Sequence, residues 1–124
     1  MRNAPLLAAA AAALAVVATG CGVGSSDEGG VSATTGTYLS ALGAGDYALA
    51  CKQLAQSARP SGDCATGLRA SVAGIPRGTF ADDADEKSEI DVDGDVATVT
   101  LSSGKTLRLA RIAGAWLVSS PYTG

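Results

Sequence analysis

Apolar residues recur along this chain in three rhythms, and each predicts a different kind of element. Leu6 through Ala18 form an unbroken apolar run behind the single charge of Arg2. That is the layout of a secretory signal peptide, and the run is shorter than the roughly 20 apolar residues a membrane span needs. From Val31 the spacing becomes helical. Val31, Thr35, Tyr38, Leu39 and Leu42 share one face, and Gly43-Ala44-Gly45 ends the helix. Asp46 is placed to cap a second helix, with Tyr47, Ala50, Cys51 and Leu54 on one side, because its carboxylate can accept the free N–H groups of the first turn. Arg59-Pro60-Ser61-Gly62 breaks that helix. Asp63 then caps a third, in which Cys64, Leu68 and Val72 recur every four residues; it stops near Gly74, and Pro76 prevents its return.

The second half changes to a period of two. Asp82 to Lys87 is too polar for a core, and it leads into the alternating strand Ser88 to Val92. Asp93-Gly94 is a two-residue hairpin signal whose positions both call for positive φ. Asp95 to Leu101 follows as the partner strand, placing Ile90, Val92 and Val96 toward the core. Ser102-Ser103-Gly104 turns the chain into Lys105 to Arg111, and Ala113-Gly114 leads into the last strand, Ala115 to Val118. Three helices followed by a four-stranded antiparallel meander give an α+β fold.

Composition narrows the function classes. The chain has 124 residues, 47% hydrophobic but only 4% aromatic, which fits one small domain with a light core and excludes a large enzyme. A formal net charge of −3 leaves no basic footprint for nucleic acid. The chain has no His, which removes the usual catalytic base and zinc ligand. It has three cysteines, and an odd count in a secreted chain needs an explanation.

One explanation begins where the apolar run ends. Ala18-Thr19-Gly20-Cys21 resembles the lipobox of bacterial lipoproteins, although Ala18 stands where that pattern prefers Leu. The resemblance implies a diacylglyceryl thioether on Cys21, cleavage after residue 20, and a lipid-anchored protein on the extracytoplasmic face of the cell membrane. An ordinary Cys21 beside another cleavage site, or a retained signal anchor, are the alternatives. The Gly- and Ser-rich residues 21–30 read as a flexible tether that lifts the domain off the bilayer. Asp27 and Glu28 within it are not drawn to anionic lipid, so membrane contact is expected from the lipid alone. The domain itself is expected over residues 31–124.

Three phrases of the chain carry a resemblance at the level of fold. They are Tyr38 to Cys51 with its small-residue turn before Asp46-Tyr47, Val92 to Val99, and Ala113 to Val118 with Gly114 before Trp116. Together they resemble the small lipoproteins of actinobacteria with an NTF2-like, cystatin-like fold. The resemblance covers about residues 31–122, and its motifs are signatures of fold rather than of catalysis. It implies helices packed on a curved sheet, with the Trp116 strand holding the helix against it.

With Cys21 assigned to lipid, Cys51 and Cys64 remain. An oxidising compartment and a small domain favour a disulfide between them, against two buried free thiols. Neither Cys-x-x-Cys spacing nor His is present, so no metal centre or cofactor is expected. Asp91, Asp93 and Asp95 alternate like calcium ligands, yet Gly94 falls at the fourth position of that pattern rather than the sixth, and they read as a solvated acidic edge. Some relatives with this fold are isomerases or cyclases that use a cavity between sheet and helices. Tyr38, Tyr47 and Tyr122 could serve such chemistry, but no nucleophile and base can be paired from the sequence. The expectation is therefore a non-catalytic binding or accessory domain at the envelope, whose partner is another envelope protein or a small apolar ligand. The alternatives are an enzyme using the cavity and a module that dimerises through its sheet face.

Overall fold

A computed structural model of the chain describes residues 27–85 and 89–120. The fold is α+β, with helices first and a four-stranded antiparallel sheet after them in the order β1-β2-β3-β4. The signal-peptide reading, Cys21 and Tyr122 lie outside the described residues.

Helix α1 runs over 27–44 and buries Val31, Thr35, Tyr38, Leu39 and Leu42, the face its spacing predicts. It is helical from the first described residue, so 27–30, read above as part of the tether, belong to the helix. The physical reason is a partner far away in sequence: Asp27 is held by Arg111 of the sheet at 2.6 Å. Gly45 closes α1 at φ +76, with its own N–H on the Leu42 carbonyl (3.2 Å) and the Asp46 N–H on the Ala41 carbonyl (2.8 Å). This is a Schellman ending, and a Cβ at that φ would be strained.

Asp46 then caps α2 (Tyr47–Lys52), accepting from the Leu49 N–H at 3.2 Å. This helix is shorter than its pattern suggests. Leu54, expected on its apolar face, instead lies in an extended segment beside β4, where the Val118 N–H donates to the Gln53 carbonyl (2.7 Å) and the Ala55 N–H to the Val118 carbonyl (2.8 Å). Leu54 is still fully buried, because the free edge of β4 supplies the backbone bonds that a longer helix would have made internally. A 3-10 turn, Gln56–Ala58, follows.

Asp63 caps α3 (Cys64–Ser71), which buries Leu68 and ends at the buried Val72. A fourth helix, α4 (Arg77–Asp85), then starts directly after Pro76, where the sequence led us to expect no return to helix. The Pro76 carbonyl accepts the Thr79 N–H at 3.0 Å. Proline is compatible with a first helical turn because the N–H it lacks has no partner there. Phe80 and Asp83 of α4 are both buried, so the acidic stretch beginning at Asp82 is partly interior.

The strands are β1 (Glu89–Asp93), β2 (Val96–Thr100), β3 (Thr106–Ile112) and β4 (Ala115–Ser120). Asp93 pairs with Val96, so the two loop residues of the first hairpin are Gly94 and Asp95, one position later than expected. Only Gly94 has positive φ (+64), the combination of a type II′ turn. The shift changes one residue's side: Val96 joins the open face and is 42% exposed, while Ala97 and Val99 point inward opposite Leu109 and Leu107. A bulge at Arg108/Leu109 keeps Leu109 opposite Val118. α1 lies on the inner face of the sheet, and the space between them is filled by Tyr38, Leu39, Leu42, Leu54, Leu107, Leu109 and Val118, all fully buried.

Candidate functional site

The β1–β2 and β3–β4 hairpins turn at the same end of the sheet, where the first described turn of α1 also lies. Leu107, Leu109 and Arg111 share the inward side of β3, so the strand's own alternation carries a guanidinium to the rim of the core. Arg111 lies over the ring of Trp116, its cross-strand partner, with the guanidinium carbon 5.1 Å from the ring centroid. It donates to Asp95 through Nε at 3.1 Å and to Asp27 through one terminal nitrogen at 2.6 Å; the other reaches the Gly94 carbonyl at 3.3 Å. The hydrogen bond to Asp95, with the Asp27 charge behind it, holds Arg111 above its usual pKa range.

Trp116 is bound to α1 in two ways. Thr34 Oγ1 donates to the Trp116 carbonyl at 2.9 Å, and a Cβ on Gly30 would stand only 2.8 Å from the indole Cδ1. Small size at Gly30 is what lets the helix approach the ring. Asp27, Thr34, Gln53, Arg111, Trp116 and Leu117 line an open cleft of about 610 Å³ here. Its polar groups are largely committed to one another, so the arrangement joins helix, hairpins and ring more than it offers a free reacting group.

Cys51 and Cys64, assigned above to a disulfide, are bonded, with Cα atoms 6.2 Å apart across the break between α2 and α3. Tyr47 is half-buried beneath Arg69, whose guanidinium carbon is 5.7 Å from the ring centroid, and Tyr38 is fully buried. Asp91, Asp93 and Asp95 are all exposed. No group of three or more His, Cys, Asp or Glu among the described residues is arranged to hold a metal ion. Among those residues, no helix is long and apolar enough to cross a membrane.

Sequence reasoning missed two charged residues. Asp83 accepts from Ser102 Oγ (2.8 Å), the Ser103 N–H (3.0 Å) and Ser103 Oγ (2.8 Å), fastening α4 to the β2–β3 turn. Its helical step of three from Phe80 was the available signal. Arg111 was equally visible from its parity with Leu107 and Leu109, since a charge on an inward-facing strand position requires a partner. Comparison with protein-family models, curated proteins and solved structures finds no match to this chain.

Proposed function

We propose that this chain is a lipoprotein, anchored through Cys21 on the extracytoplasmic face of the cell membrane, and that its α+β domain is a non-catalytic binding or accessory module of the envelope. The observation that carries this reading is the partition of the three cysteines. Cys51 and Cys64 are joined to each other, and disulfides persist in oxidising compartments outside the cytosol. The third, Cys21, stands at the end of an apolar leader-like run in a lipobox-like setting. Helices followed by an antiparallel meander also accord with the NTF2-like lipoproteins that the chain resembles.

Metabolic labelling with a fatty-acid analogue tests the anchor. The wild-type chain incorporates the label and Cys21→Ser does not. Equal incorporation by both would contradict the reading.

A further inference from the structure

We propose that the tip of the β3–β4 hairpin, with Val96 beside it, rests against the lipid surface that holds the chain; this deepens, and rests on, the lipoprotein reading. Three observations converge. First, α1 begins at the hairpin end of the molecule, where Asp27 is fixed to Arg111 and Gly30 packs on Trp116. Only residues 22–26 stand between Cys21 and Asp27, the first described residue of that helix, and at about 3.3–3.6 Å per residue even a fully extended chain keeps residue 27 within roughly 20 Å of the anchored cysteine. The domain is therefore held at the membrane by this end.

Second, the tip of the β3–β4 hairpin is itself apolar. Ile112 is 45% exposed and Val96 42% exposed, and Ala113, Gly114 and Ala115 complete an exposed tip without a charge. The opposite end of the same sheet face carries Thr98, Thr100 and Arg108. Side chains as large as Ile and Val gain by leaving water, and the bilayer interface is the apolar phase within reach of the anchor. Anchoring also makes the contact intramolecular in effect, so a patch too small to bind from solution can remain engaged.

Third, the acids here are partly neutralised. Arg111 pairs with both Asp27 and Asp95, although Asp95 stays exposed, as do Glu28 and Asp93. The contact is thus suited to zwitterionic lipid and is weakened by anionic lipid.

Lipidated protein beginning at Cys21, in phosphatidylcholine vesicles with and without brominated acyl chains, provides the test. Ile112→Trp is compared with Thr100→Trp at the far end of the same face, each corrected for the emission of Trp116. Bromine is expected to quench the tryptophan of the Ile112→Trp chain roughly twofold, because interfacial apolar groups lie about 5–10 Å into the headgroup and acyl boundary, and to spare that of Thr100→Trp. Equal quenching of the two in vesicle-bound, lipidated chain would overturn the contact and leave the lipoprotein reading intact. A blue shift of the Ile112→Trp chain without bromine quenching would show a second copy covering the patch and would also overturn the contact. Protein that carries no lipid and does not float with the vesicles would overturn the contact and the lipoprotein reading together.

Discussion

Thr35 has its hydroxyl buried beneath α1 without a hydrogen-bond partner. An unsatisfied buried polar group costs about 1–3 kcal/mol, so Thr35→Val, nearly the same shape, is expected to raise unfolding stability by roughly 1 kcal/mol in urea titrations. A lower midpoint would show that the hydroxyl is satisfied in solution. Ala113 is strained in its backbone: it occupies the first position of the β3–β4 turn at φ +53, followed by Gly114 at +85. Both positions of a type I′ turn need positive φ, which costs an L-residue about 1–2 kcal/mol. Ala113→Gly removes that strain at some cost in unfolded-state entropy, and a net gain of about 0.5 kcal/mol is expected by thermal unfolding.

At the scale of elements, α2 and α3 are too short to be stable alone and depend on caps and a crosslink. The disulfide closes a loop between positions 13 apart, worth roughly 3 kcal/mol in the chain-entropy model. Reduction should lower stability by about that amount; an unchanged denaturation midpoint would show that packing alone holds the pair. Asp63 caps α3 by accepting from the Thr66 N–H, and the Thr66 hydroxyl, followed by that N–H, lowers its pKa below the ordinary value of 3.8. A carboxylate depressed in the folded state contributes stability above its unfolded pKa and loses it as pH falls through the folded value. Asp63→Asn, which caps without titrating, is therefore expected to lose less stability than wild type between about pH 5 and about pH 2. Parallel acid profiles would contradict this.

The strands and three of the helices were legible because their periodicity and caps are local. Asp46 and Asp63 announce their helices, and Ile90, Val92, Val99, Leu107 and Leu109 alternate. What escaped depends on partners distant in sequence. The first turn of α1 is fixed by Arg111, the segment at Leu54 by the edge of β4, and the inward side of α4 by the serines of the β2–β3 turn. The hairpin register escaped for a different reason. Gly94 satisfies a turn in either of two frames, and only the inward burial of Ala97 and Val99 selects the one that exposes Val96.

At the scale of the whole molecule, the two ends of the sheet are fastened differently. The buried Asp83 holds one end by its hydrogen bonds from the Ser102-Ser103 turn, while Arg111 gathers Asp27, Asp95 and Trp116 at the other. The second end is also the one nearest the first described residue of the chain, so the proposed anchor at Cys21 would join the molecule at that end. Of the candidate site, Trp116 and the inward parity of Arg111 were visible in the sequence, but the ion pair between residues 27 and 111 leaves no local pattern.

The partition of the three cysteines is tested most directly by the intact mass of protein purified from the cell envelope, measured before and after reduction. The account predicts a chain that begins at Cys21, carries a diacylglyceryl group, and gains two hydrogens on reduction. A chain that begins elsewhere, lacks the lipid, or shows no mass change on reduction would contradict it.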